Sequence, residues 1–169
     1  RKISLQFNSA LCIFPSMNTR KPSSARRDLA LDEQLCFALY STMIGINKAY
    51  RPLLKALELT YSQYLVMLVL WEQDAQTVSE IGDRLFLDSA TLPPLLQRLE
   101  ASGLIERQRS AEDERRVIIS LTAAGKALEK RAEKVPACMA TAMECAPGEL
   151  EELRTQLNAL RGRLFKNAA

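Results

Sequence analysis

The sequence predicts a mainly α-helical fold with a small β wing: a winged helix-turn-helix whose N- and C-terminal helices form a dimerisation region. Three observations predict it. First, residues 77–103 hold two short helical patterns around a turn. Thr77 and Glu80 make a capping box, Ile81 and Leu85 follow at helical spacing, and Leu92, Leu95, Leu96 and Leu99 share one face of a second helix, opened by Asp88 or Ser89 and closed by Gly103. Second, the apolar period changes beyond Gly103. Residues 104–109 and 116–121 each suit a strand, with Val117, Ile119 and Leu121 alternating, around a charged tip at 110–115. Third, both ends of the chain carry helical patterns with more apolar surface than a small protein buries alone.

Residues 1–16 precede Met17. Their basic start and scattered apolar residues raise a secretory leader, but Gln6, Asn8 and Ser9 interrupt the apolar run and no Ala-x-Ala site follows. They are read as added or upstream-translated sequence, with Cys12 incidental. Residues 17–30 are rich in Ser, Arg and Lys, which suits a flexible tail. Residues 32–50 read as a helix with Asp32 at its N-cap, stopped or kinked at Pro52, and residues 53–59 as a short second helix. The run Leu35, Cys36, Phe37, Ala38, Leu39, Tyr40 is apolar nearly all round and calls for a partner surface. Thr60 with Gln63 is another capping box, opening an apolar helix over 61–72. After the wing, residues 123–144 read as one long helix bent near Pro136. The last helix places Leu150, Leu153, Leu157, Leu160 and Leu164 at steps of three and four, a seam suited to a second subunit. The expected domains are therefore a flexible or added segment at 1–30, a helical dimerisation region at 31–59 with 123–169, and a DNA-binding lobe at 60–122.

Composition narrows the chemistry. The 169 residues are 47% hydrophobic and 25% charged, as in an ordinary globular protein, and the formal charge of +3 permits nucleic-acid binding without arguing for it. There is no histidine, which removes histidine-based triads and metal motifs, and no Gly-rich phosphate loop. Cysteines at 12, 36, 138 and 145 match neither a redox CxxC pair nor a zinc site. No cofactor, no metal and no enzymatic activity are expected. No apolar run approaches the ~20 residues of a membrane span, so no membrane partner and a cytoplasmic location are expected, where a disulfide would be transient and regulatory.

The run LFLDSATLPPLLQRLEASGLIERQRSAEDERRVIISLT, with Asp113, Arg115, Leu121 and Thr122 as its Asp-x-Arg and Leu-Thr wing pattern, closely resembles the MarR family of bacterial transcriptional regulators. The upstream run LCFALYSTMIGINKAYRPLLKALELTYSQYLVMLVLWE narrows the likeness to the organic hydroperoxide sensors of that family. The resemblance covers residues 32 onward. One departure is Pro93 directly before Pro94, where the family has one proline, so an irregular first turn is expected.

Two sets of site residues follow. Ser89 and Thr91 open the recognition helix, where N-terminal residues meet bases or phosphates, and Gln97 and Arg98 lie further along. The resemblance implies Ser89 and Thr91 as DNA contacts and Arg115 as the wing residue entering the minor groove, positioned by Asp113. Arg98 and Arg109 are further candidate DNA contacts, with plain solvated surface as the alternative. From 98 to 116 five arginines face five acids, so affinity must come from placement rather than net charge. For the second set, Cys36 lies about a turn inside a helix start, where N–H groups and the helix dipole favour thiolate. By itself it is more simply a small core residue. The resemblance implies that Tyr50 and Tyr61 donate hydrogen bonds to a peroxide-reactive Cys36. On a straight helix, 14 residues separate Cys36 from Tyr50 by ~21 Å, so such a contact must come from a partner's helix. Two-cysteine members of the family close an intersubunit disulfide. The resolving thiol is expected at Cys138, alternatively at Cys145.

The expected function is a homodimeric repressor that binds double-stranded operator DNA, is oxidised at Cys36 by an organic hydroperoxide, forms an intersubunit disulfide and leaves its operator. By resemblance its target includes the promoter of an organic hydroperoxide peroxidase. The alternative is a MarR-type repressor released by a non-covalent small phenolic ligand, with Cys36 passive.

Overall fold

The computed structural model describes residues 29–110, 113 and 115–167. The expectations for residues 1–28, including Cys12 and the basic stretch before Leu29, lie outside them. The chain divides into a unit of residues 1–41 and a unit of residues 42–169.

In the first unit a 3-10 turn, Leu31–Glu33, leads into helix α1, Leu35–Lys55. Asp32 sits inside that turn and is not the N-cap of α1. Gln34 Nε2 donates to the Ala30 carbonyl at 3.1 Å. Leu35, Leu39 and Tyr40 stand exposed among the described residues.

In the second unit, α1 continues through Pro52. A proline removes one helical hydrogen bond, yet Tyr50, Leu53 and Leu54 pack against the core on either side of it and hold the helix on course. The separate helix expected at 53–59 does not form. Instead α1 ends in a turn where Leu59 N–H donates to Leu54 O and Glu58 adopts φ 57°, and the Arg131 guanidinium bonds the freed Ala56 carbonyl at 2.6 Å.

Helix α2, Tyr61–Glu72, starts at the expected Thr60/Gln63 capping box. Val66, Met67 and Leu70 are almost wholly buried, which makes α2 the centre of the core. A strand too short to read from sequence, β1 (Gln76–Thr77), precedes helix α3, Val78–Leu85, which begins at the Thr77/Glu80 capping box. Helix α4 spans Leu92–Ala101. Its two prolines fall in the first turn, where backbone N–H groups have no helical partner to lose. The irregularity expected there takes the form of a helical turn at 88–91, tied by Thr91 N–H to Asp88 Oδ1 at 2.7 Å. Gly103 follows the helix at φ 68°, a conformation that favours glycine. Strands β2 (Ile105–Arg109) and β3 (Val117–Leu121) form the wing, and the antiparallel order is β1-β3-β2 with Arg109 opposite Val117.

The helix expected over 123–144 is two helices, α5 (Ala123–Ala132) and α6 (Val135–Met143), broken at residues 133–134 with Pro136 in the first turn of the second. Leu128, Ala132, Val135 and Met139 join the same core as Leu54, Leu57 and Leu59. Residues on both sides of 59/60 and of 122/123 share that core. Helix α7, Pro147–Asn167, carries the leucine seam, with Leu153, Leu157 and Leu164 exposed. Near its far end the Phe165 ring lies 5.1 Å from that of Phe86, and the Arg161 guanidinium lies 4.3 Å over the Phe86 ring.

Two long-range ties hold the wing to the core. Asp74 Oδ1 accepts from Leu121 N–H at 2.8 Å while Oδ2 pairs with Lys126 at 3.1 Å. Trp71 Nε1 donates to Gly125 O at 3.0 Å, and a Cβ on Gly125 would fall 2.1 Å from Leu104 O. Only glycine lets α5 approach the base of the wing this closely.

Candidate nucleic-acid interface and tyrosine cleft

The reading surface is built from the start of α4 and from the wing. Ser89, Thr91, Gln97 and Arg98 are all exposed. The cap is made by Asp88, whose carboxylate accepts from Ala90 and Thr91 N–H groups. Hydrogen bonding from Thr91, side chain first and then backbone, holds the Asp88 carboxyl below its usual pKa. Ser89 is thereby relieved of the capping role. On the wing, Arg109 is exposed at the end of β2. Arg115 projects from the tip with its side chain 96% exposed. Asp113 shapes that tip: its carboxylate accepts Arg115 N–H at 3.1 Å, its carbonyl accepts Arg116 N–H at 2.9 Å, and the Arg115 side chain comes within 4.0 Å. Arg116 turns back toward Glu80 of α3 at 3.9 Å, a tie absent from the sequence reading.

The second feature is a cleft of about 720 Å³ between the C-terminal half of α1 and the start of α2. The turn at 56–59 folds α2 back beside α1, which brings Tyr50 and Tyr61 together with ring centroids 4.8 Å apart. Tyr64 stands 5.9 Å from Tyr50 and 6.2 Å from Trp71, so the rings run from the cleft into the core. Burial, then the nearby Tyr61 and Tyr64, pushes the Tyr50 phenol up to about 12, and burial raises Tyr61 too. Both phenols therefore remain protonated donors at neutral pH. Leu54 and Leu59 supply apolar lining, and Arg51 and Lys55 supply cations. The sequence reading found the two tyrosines but not the cations, whose four-residue spacing was the available signal.

The three described cysteines are free thiols. Cys36 is exposed on the first turn of α1, Cys138 is exposed on α6, and Cys145 is half-buried between α6 and α7, where its thiol donates to Met143 O at 3.2 Å. Helix α1 runs from Leu35 to Lys55 and carries both Cys36 and Tyr50.

Comparison with known proteins decides the family. The chain is 44% identical over 132 residues to an organic hydroperoxide resistance transcriptional regulator of Bacillus subtilis, covering 78% of this chain and 90% of that protein. It belongs to the MarR family, as an OhrR-type regulator. A family model for the transcriptional regulators SarA/Rot matches residues 48–132. Among solved structures, reduced AbfR bound to DNA superposes with a TM-score of 0.71 at 34% identity, over 86% of this chain and 99% of that one. Disulfide-formed AbfR gives a TM-score of 0.53 at 39% identity, over 80% and 96%. AbfR is a Staphylococcus epidermidis protein. This MarR-family chain is thus a DNA-binding transcriptional regulator with a winged-helix reading head. Among the described residues no helix is long and apolar enough to cross a membrane.

Proposed function

We propose that this regulator is a homodimeric repressor that senses organic hydroperoxides at Cys36 and responds with an intersubunit disulfide. The observation that carries the reading is the Tyr50–Tyr61 pair on the cleft, two protonated tyrosines from α1 and α2 with ring centroids 4.8 Å apart. A partner's α1, crossing antiparallel, brings its Cys36 to this pair. The exposed leucine seam of α7 and the exposed start of α1 support such pairing, because a second copy would cover both.

The chemistry balances. The Cys36 thiolate, stabilised by the two phenol donors, attacks the terminal oxygen of R–O–OH. An S–O bond forms, the O–O bond breaks, and RO⁻ takes a proton to leave as the alcohol. Sulfur is oxidised to sulfenic acid as the peroxide is reduced. A second thiol then displaces water from the sulfenic acid to give the disulfide. Cys138 is assigned as that thiol, since it is exposed while Cys145 is half-buried and hydrogen-bonded. The disulfide strains the helices that set the spacing of the two reading heads, and operator is released. Ser89, Thr91, Gln97, Arg98, Arg109 and Arg115 are assigned as its DNA contacts, with Asp113 positioning Arg115.

The test is operator gel shift with and without cumene hydroperoxide. The parent should release DNA and recover with reductant, and Cys36→Ser should stay bound. Cys138→Ser should lose the non-reducing dimer band, whereas Cys145→Ser should keep it. If peroxide leaves both parent and Cys36→Ser on the operator, the thiol reading fails, and a repressor released by a non-covalent phenolic ligand replaces it.

A further inference from the structure

The end of α3 and the turn after it carry Leu85, Phe86 and Leu87. Leu85 and Leu87 pack against the core, while Phe86 between them is 50% exposed. Its backbone turns it outward. Phe86 adopts φ 56° and ψ 35°, its N–H donates to the Asp83 carbonyl, and Leu87 N–H donates to the Gly82 carbonyl at 3.0 Å. Left-handed backbone at a helix end favours glycine, because a side chain there crowds the following carbonyl. A bulky aromatic in that conformation is an outlier, and strain of this kind persists where the side chain is put to use.

The use is visible on α7. No described side chain of that helix is buried, yet two of them reach the turn. The Phe165 ring lies 5.1 Å from the Phe86 ring, tilted by 43°, and the Arg161 guanidinium lies 4.3 Å over the same ring. Those separations suit an aromatic pair and a cation–π contact. Arg161 and Phe165 are one helical turn apart and share one face of α7. Among the described residues Arg161 has no ion pair, so its charge is directed at the ring. On its other side, Phe86 is two residues from Asp88, whose carboxylate accepts the Ala90 and Thr91 N–H groups at the entry to α4. The ring therefore joins the end of the seam helix to the reading head, next to Ser89 and Thr91.

Resting on the two-headed dimer proposed above, we infer that Phe86 is a positioning residue for operator binding: Arg161 and Phe165 hold its ring, and through the short turn to Asp88 the end of α7 sets the angle at which α4 meets DNA. Because α7 carries the leucine seam, fixing each α4 to its own α7 fixes the distance and rotation between the two recognition helices. Without the ring contacts each head swings more freely, and the protein accepts half-sites at more than one spacing.

The probe is a duplex operator selected from random sequence by the parent protein, together with the same duplex lengthened by one base pair between its half-sites. The insertion turns one half-site by about 35° around the DNA axis. Fluorescence anisotropy gives the affinity ratio between the two duplexes, which reports how firmly the heads are held and not how tightly they bind. The parent should prefer the selected spacing by roughly tenfold or more, the scale of one lost groove contact. Phe86→Gly keeps the left-handed turn and removes the ring, and Arg161→Gln/Phe165→Leu removes both partners from α7. Each should cut the ratio by about fivefold or more, the scale of an aromatic pair with an exposed cation–π contact. Phe86→Tyr, which keeps a ring, should retain the parent ratio. A residue that merely capped α3 gives the opposite order, since glycine suits φ 56° better than any aromatic. Circular dichroism and sedimentation velocity check that each variant is folded and dimeric. An undiminished preference in either variant, a loss in Phe86→Tyr equal to that in Phe86→Gly, or a dimeric parent indifferent to the insertion overturns this inference alone. A parent that sediments as a monomer overturns the two-headed dimer and this inference together.

Discussion

The Tyr50 and Tyr61 rings lie 4.8 Å apart with their planes tilted by 43°, although α1 and α2 carry them on opposite sides of a turn. Neither ring would face the cleft without that turn. The left-handed Glu58 and the Arg131 bond to Ala56 O hold it closed.

If both phenols stabilise a thiolate, removing their hydroxyls should slow oxidation without unfolding the chain. Tyr50→Phe and Tyr61→Phe should each lower the rate of Cys36 oxidation by hydroperoxide about tenfold or more, the value of one hydrogen bond to a charged group. Stopped-flow measurement of thiol loss checks this, with thermal melts confirming that packing is kept.

Arg115 is almost fully exposed and its closest acid lies 4.0 Å away, so it contributes little to folding. Arg115→Ala should leave the melting temperature within error and weaken operator binding by roughly tenfold or more, the cost of about 1–3 kcal/mol for one lost groove contact. Fluorescence anisotropy across a salt series measures both the loss and any change of slope.

Asp74 links pH to stability. Burial pushes its carboxyl up, but hydrogen bonds from Leu121, Lys126 and Ala75 outweigh burial and hold it below the usual aspartate value. A carboxyl whose folded pKa is depressed stabilises the fold fully above the unfolded value of about 4. That contribution is lost as pH falls through the folded pKa. Urea midpoints should therefore drop between pH 5 and pH 3, and Asp74→Asn should start lower at neutral pH and show a shallower acid limb.

Gly125→Ala should be among the most damaging single methyl additions in the chain. The new Cβ would sit 2.1 Å from Leu104 O, and α5 must retreat, straining the Trp71–Gly125 hydrogen bond. Overpacking of this kind costs about 1–3 kcal/mol. The single tryptophan makes denaturant unfolding easy to follow by fluorescence.

Much of this was legible in local chemistry. The Thr60/Gln63 and Thr77/Glu80 boxes form as their spacing dictates, because each is closed within four residues. Gly103 and the alternation of Val117, Ile119 and Leu121 are equally local. Pro52 misled because its local cost is outweighed by neighbours that bury their side chains in the core. The Asp74–Leu121 tie spans 47 residues and leaves no local trace. Arg51 and Lys55 share one ridge of α1, but the cleft they line exists only once the turn at 56–59 places Tyr61 beside them. Apolar periodicity reports that a face is buried, not which element buries it, so the core that Leu54 and Leu59 share with Leu128 leaves no local trace.

The central claim is that Cys36 of one subunit is oxidised at the tyrosines of the other. Mixed dimers test it directly. Cys36→Ser homodimers have no reactive thiol, and Tyr50→Phe/Tyr61→Phe homodimers react slowly. In a heterodimer of the two, the intact Cys36 lies on the subunit that lacks the phenols. Fast oxidation of that thiol by hydroperoxide, at about the parent rate, is the result expected if the phenols act across the interface. A rate no faster than that of the double-phenylalanine homodimer would contradict it.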